Sequence, residues 1–196
     1  MVAFDNTILS VLLFPDAEIQ EGPDAITVIH ARDRVIALIQ EIADSGEQVL
    51  VPAPALAEVL ATPGCDIEAV LGELRKSAHI RIGDFDQRAA VELAIRLRAA
   101  AAAGDIREGR KTTKAAMKFD RQIVAIALTN GARILYSDDE GVRRFGEGSG
   151  LKVKRTSELP IPAIQQDLFA REEPVQAEGE GAPDADSSSD LTSSSE

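Results

Sequence analysis

The chain has 196 residues, 44% of them hydrophobic, which suffices for one domain with a buried core and excludes a low-complexity or wholly unfolded protein. Its formal net charge of −12 is uneven: residues 172–196 hold Glu172, Glu173, Glu178, Glu180, Asp184, Asp186, Asp190 and Glu196 without one Lys or Arg. Residues 1–171 therefore carry all 21 bases against 25 acids, a balance that leaves a nucleic-acid partner open. Cys65 is the only cysteine, which rules out an intrachain disulfide, and no apolar run nears the roughly 18 residues of a membrane span. Because Asp5 interrupts the first apolar stretch, no leader segment is expected, and the setting read from the sequence is cytoplasmic with no membrane partner.

Val2–Phe4 reads as a short strand that ends at Asp5, followed by a helix from about Thr7 and a loop with turn signals at Gly22-Pro23. In residues 25–43, Ile29, Val35, Ile36, Ile39 and Ile42 recur at helical spacing; Ser45-Gly46 closes that helix and QVLVP is a buried strand. Pro54 suits the first turn of a helix bearing Leu56, Glu58 and Val59, and a further helix over residues 66–76 leads to the strand HIRIG. Residues 87–103 are rich in Ala and Leu and predict a long helix, which passes into the basic link GDIREGRKTTK.

The next helix runs over residues 112–129, with Ile123, Val124, Ala127 and Leu128 as its apolar stripe and Asn130-Gly131 as its stop. ARILYS is then a strand with Asp138 and Asp139 at its carboxyl end, and LKVKR is a last edge strand before Pro160 and Pro162. Strands alternating with helices predict an α/β protein, a three-layer α/β/α sandwich with a mostly parallel central sheet. The compact domain is placed at residues 1–165. Residues 166–196 form a Ser-rich acidic tail, poor in large aliphatics and expected to be disordered.

Four acids stand where such a sheet would gather them: Asp5, Glu58, Asp120 and Asp139. Two follow strands, and ligands of open α/β sheets bind at the carboxyl ends of strands. Carboxylates unmixed with His or Cys suit a hard cation such as Mg²⁺ or Mn²⁺. Each acid also has a structural reading: Asp5 as a helix cap, Glu58 as a solvated helix residue, Asp120 as a partner of Arg121 or Lys118, and Asp138 or Asp139 as turn residues before Gly141. Between residues 96 and 121 eight bases, among them Arg110, Lys111, Lys114, Lys118 and Arg121, face three acids; this is either a phosphate-binding patch or a solvated helix and link. The acidic tail is either a solubility segment or a shield for that patch.

The order and contexts of the acids resemble a PIN domain, the nuclease fold of VapC-type toxins of bacterial toxin–antitoxin pairs, over roughly residues 2–155. Asp5 with Thr7 matches the first motif, LAEV with Glu58 the second, and Asp120-Arg121-Gln122-Ile123-Val124-Ala125-Ile126-Ala127 the third. Ser137-Asp138-Asp139 matches the fourth, T-x-D, with Asp139 as the aligned acid and Asp138 as an auxiliary one. The resemblance implies a Mg²⁺- or Mn²⁺-dependent endonuclease acting on RNA, with Asp5, Asp120 and Asp139 as metal ligands and Glu58 as a ligand or the residue that orients the attacking water. Thr7, Asn6 and Ser137 would hydrogen-bond those ligands. It also implies an antitoxin protein as partner and a homodimer. The chain departs from the family in placing Asn6 before Thr7 and in its length. Two alternatives stand beside this reading. A haloacid-dehalogenase-like phosphatase would want an Asp where Thr7 stands, and a PIN-like module could bind RNA or protein without cutting.

Overall fold

In the computed structural model the described residues are 1–22, 25–102 and 114–162, with the backbone alone described at 114–117. They belong to one compact unit, Met1–Pro162. The expected tail, together with Arg110 and Lys111, lies outside the described residues.

The unit is built from β1 (Val2–Phe4), α1 (Asn6–Leu13), β2 (Gln20–Glu21), β3 (Ile26–Thr27), α2 (Ala31–Asp44), β4 (Val49–Pro52) and α3 (Ala53–Leu60). It continues with α4 (Ile67–Lys76), β5 (Ile80–Gly83), α5 (Gln87–Ala102), α6 (Lys114–Thr129), β6 (Ile134–Tyr136), α7 (Glu140–Gly148) and β7 (Lys152–Lys154), and closes on a 3₁₀ turn, Thr156–Glu158. Among the described residues five strands form one parallel sheet in the order β5-β4-β1-β6-β7, flanked by helices α1 to α7, which is the α/β architecture expected from the sequence.

The apolar runs explain this layering. Every residue of β1 and β4 is buried, as parallel strands covered on both faces require. Across α6, Ile123 to Ala127 are five successive buried residues, so this helix is enclosed on more than one side. Gly131, left-handed at φ 72°, stops α6 and lets the chain turn into β6. Glycine serves a different end in α7, where a Cβ at Gly146 would stand 2.7 Å from Val153 Cγ2; its absence lets helix and edge strand pack closely.

Two local expectations are corrected. The helix expected over residues 25–43 begins only at Ala31, because His30 takes a left-handed conformation (φ 54°) and Ile26-Thr27 pair antiparallel with Gln20-Glu21 as a small hairpin. Ile29 and Ile36 are consequently exposed, and Val35, Leu38 and Ile42 form the buried face. The long helix α5 buries only Ala89 in full, so its Ala and Leu content reflects helix propensity more than core packing. Arg34, buried in α2, donates to the carbonyl oxygens of Ile29 and Ser157 at 3.1 Å and to that of Leu159, which fastens the end of the unit onto α2.

Strand order fixes where a site can form. From β1 the chain moves to β4 and then β5 on one side; from β6 it moves to β7 on the other. Neighbouring strands β1 and β6 thus send their connections opposite ways, opening a crevice at their carboxyl ends. Phe4 is in register with Tyr136, so Asp5 and Ser137 emerge side by side at that crevice.

Candidate active site

Asp5 is the innermost acid, 1% exposed. Its backbone N–H donates to Tyr136 O (3.0 Å), and its carboxylate caps α1 by accepting from Asn6 N–H at 2.7 Å. Its other oxygen accepts a short hydrogen bond from the Ser137 hydroxyl, which itself accepts from the Asp139 N–H at 3.1 Å. Ser137 is therefore a buried bridge between two of the expected ligands. Asp5 caps the helix and also has Asp139 and Glu58 as charged neighbours.

Asp139 caps α7 by accepting from Val142 N–H at 2.9 Å, and its residue is exposed. Asp120 and Glu58, half-buried on α6 and α3, complete the group. Burial, offset in part by the Ser137 and Asn6 hydrogen bonds and reinforced by the charges of Asp139 and Glu58, pushes the Asp5 carboxyl up to about 7. Asp120 is likewise pushed up to about 7, by burial and then by Asp139 and Glu58. Glu58 is raised by burial and by Asp139. Four acids from four places in the chain are thus brought close enough to feel one another's charge.

Gly141, which the sequence reading passed over, makes part of this approach feasible. A Cβ built there would lie 2.5 Å from Asp120 Oδ2 and 2.9 Å from Asp139 Oδ1, so both oxygens crowd the space that a side chain would fill. A glycine in the first turn of a helix, two residues after an acid, was the available signal.

Asp138 behaves differently from its neighbour. Both its oxygens are engaged, accepting from Thr156 N–H (2.9 Å) and the Thr156 hydroxyl (2.6 Å), and its N–H donates to Thr7 Oγ1 at 3.1 Å. Burial raises its pKa and these bonds oppose the shift. Beyond it Arg155 reaches Glu21 of the hairpin at 2.5 Å and also binds Glu140 of α7. Of the basic patch, Lys118 is exposed, Arg121 lies 5.7 Å from the Phe145 ring centroid, and the Lys114 side chain is outside what is described.

Among the described residues no three His, Cys, Asp or Glu side chains already stand close enough to hold a metal ion. The donor chemistry nonetheless fits a hard divalent cation: the gathered side chains are all carboxylates, and their raised pKa values mark a charge that a cation would relieve. Next to Asp139 a groove of about 360 Å³ runs between α1 and the segment leading into β2. Among the described residues no helix is long and apolar enough to cross a membrane.

No protein-family model matches the chain, and no curated protein sequence does. Solved structures do. The chain is similar to one in the crystal structure of VapBC2 from Rickettsia felis bound to a DNA fragment from their promoter, at 13% identity and a TM-score of 0.52, covering 79% of this chain and 98% of that one. Fainter likenesses are to DNA-bound VapBC from Salmonella typhimurium (13% identity, 80% and 99% covered, TM-score 0.48) and to VapC20 of Mycobacterium tuberculosis, a Sarcin-Ricin loop cleaving toxin (12%, 74% and 95%, TM-score 0.49). The Rickettsia likeness establishes the fold: the chain has the PIN-like α/β architecture that its sequence motifs resemble.

Proposed function

We propose that the chain is a metal-dependent endonuclease of the toxin–antitoxin type that hydrolyses phosphodiester bonds in RNA. The single observation that carries this reading is the mutual charge coupling of Asp5, Glu58, Asp120 and Asp139 at the switch point of the sheet, with Asp5 and Asp120 both pushed up to about 7. Structural acids are normally paired with cations; the charged neighbours of Asp5 and Glu58 are acids, and at Asp120 the charges of Asp139 and Glu58 outweigh that of Arg121.

Asp5, Asp120 and Asp139 would hold Mg²⁺ or Mn²⁺, which supplies positive charge against the scissile phosphate and acidifies water. Glu58, on a separate helix, orients the attacking water and takes its proton. Ser137 holds Asp5 and the Asp139 backbone at a fixed separation, and Asn6 and Thr7 brace the same edge. Asp138, with both oxygens spent on Thr156, serves as a strut more readily than as a ligand. Lys114, Lys118 and Arg121 on α6, with Arg110 and Lys111 before it, are the candidates for backbone phosphates.

An antitoxin partner is supported by the solved structure, which is of VapBC2 with promoter DNA. A homodimer and a cytoplasmic setting complete the reading. The phosphatase alternative gains nothing here, since it leaves Glu58 and Asp120 without a role.

The test is cleavage of a mixed, unstructured RNA by the purified chain in Mn²⁺ or Mg²⁺, with EDTA and Asp139→Asn as controls. Cleavage abolished by both controls is expected. A folded chain that binds neither metal nor RNA would overturn the reading.

A further inference from the structure

Asp138, Asp139 and Glu140 are three acids in a row, and their side chains go alternate ways. Asp138 accepts from the Thr156 N–H at 2.9 Å on one oxygen and from the Thr156 hydroxyl at 2.6 Å on the other. Glu140 accepts from the Arg155 guanidinium. Two successive residues of the closing turn thus hold the acids on either side of Asp139. Asp139 itself is left to cap α7, and its charge acts on Asp5, Glu58 and Asp120.

The turn is a firm anchor because distant parts of the chain hold it. Arg34 of α2 donates to the carbonyl oxygens of Ser157, at 3.1 Å, and Leu159. Arg155 also reaches Glu21 of the hairpin, and its backbone N–H donates to Glu158 at 3.1 Å. Thr156 is 0% exposed, so water does not compete for its hydroxyl. Only Ser137, Asp138 and Asp139 connect β6 to α7, so whatever fixes Asp138 also fixes the backbone from which the Asp139 side chain departs. On its other side that link is tied by the Asp138 N–H, which donates to Thr7 Oγ1 at 3.1 Å.

Resting on the metal site of the nuclease reading, we propose that Thr156 is a positioning residue for that site. Its hydrogen bonds run to Asp138 and not to a proposed ligand, and through Asp138 it holds Asp139 against Asp5 and Asp120. Valine in its place keeps the shape and the backbone N–H but removes the hydroxyl. Asp138 Oδ2 then lacks that donor, the carboxylate turns toward another partner, and the short link carrying Asp139 shifts with it. Serine keeps the hydroxyl and should restore the arrangement.

The experiment measures Mn²⁺ affinity of the full chain, by electron paramagnetic resonance of the free ion, beside the melting temperature in EDTA. The variants are Thr156→Val, Thr156→Ser, Asp138→Ala, the Asp138→Ala/Thr156→Val pair, and Leu74→Ala. Leu74 is a core residue of α4, a helix that supplies none of the four acids, and its truncation lowers stability alone. Thr156→Val should weaken Mn²⁺ binding about tenfold or more, the range for groups that brace ligands. Thr156→Ser should stay within about threefold of the unaltered chain, and Leu74→Ala should bind Mn²⁺ unchanged despite its lower melting temperature. Beside Asp138→Ala, the pair should lose less than about twofold more, because Thr156 acts through Asp138. In the metal-free ¹⁵N-labelled chain the Asp139 and Val142 amide signals should move in Thr156→Val and stay in Leu74→Ala, since Val142 N–H donates to the Asp139 carboxylate. Unchanged affinity in Thr156→Val, an equal loss in Leu74→Ala, or a full further loss in the pair overturns the positioning role while the metal site stands. An unaltered chain that binds no Mn²⁺ overturns the nuclease reading and this inference with it.

Discussion

Two carboxylates at opposite ends of the same sheet show what separates a structural acid from one proposed to be functional. Glu47, next to the amino end of β4, accepts from the Met1 amino group at 2.7 Å, from Arg133 Nη2 at 2.7 Å on both oxygens and from Arg133 Nε at 3.0 Å. The Arg133 and Met1 hydrogen bonds hold its pKa below the ordinary value. Asp5, at the carboxyl end of adjacent β1, accepts one hydrogen bond on each oxygen but has Asp139 and Glu58 for charged neighbours, and it stands near 7. One end of the sheet is discharged by its own chain; the other, on the proposed function, would be discharged by a cation. Stability is met locally at the first and deferred at the second, the usual mark of a site.

Asp5→Asn breaks the contrast most severely. It should reduce cleavage by about a thousandfold or more, as removal of a group that acts within a unit does, while raising the melting temperature of metal-free protein at pH 8 by several degrees. A variant that loses both activity and stability would show that Asp5 is structural. The same contrast predicts a pH effect of definite sign. Because the folded pKa of Asp5 lies near 7 against an ordinary 3.8, the folded chain binds the proton more tightly than the unfolded one. That stabilisation is complete below about pH 4 and is lost as pH rises through about 7, with Asp120 adding in the same sense. In EDTA the melting temperature should therefore climb from pH 8 to pH 5, and saturating Mg²⁺ should flatten the slope; calorimetry across that range decides.

Gly141→Ala sharpens the picture more finely. Alanine improves helix propensity, by up to about 1 kcal/mol, yet its Cβ would displace the Asp120 carboxylate. Metal affinity measured by Mn²⁺ titration should fall about tenfold while thermal stability holds or rises. Ser137→Ala should weaken metal binding by about 10–100-fold, the range for groups that brace ligands. At the other end of the sheet, Glu47→Gln should lower the melting temperature by a few degrees and leave cleavage unchanged, since the Arg133 partner is exposed and contributes little while the Met1 amino group is largely buried.

Much of this was legible in the sequence because Asp5 and Asp139 sit at strand ends, and Glu58 and Asp120 on helices, that local rules mark well. Asp5 and Asp139 follow short apolar strands, and Asp120 opens the apolar stripe of α6, so alternation and helical spacing were enough to place them. What escaped the sequence depended on contacts far apart in the chain. Gly141 reads as an unremarkable helix residue until Asp120, from another helix, is seen against it. Asp138 looks like a second ligand until Thr156 takes both its oxygens. The start of α2 was misplaced because Ile29 fits a helical period by residue type, whereas a left-handed His30 and the hairpin before it remove it from the helix.

The most direct measurement is a ¹³C NMR titration of the side-chain carboxyls of Asp5 and Asp120 in metal-free protein and again in saturating Mg²⁺. The four-carboxylate account predicts midpoints near 7 without the cation and a shift into the ordinary carboxylate range with it. Midpoints near 4 that Mg²⁺ leaves unmoved would contradict it.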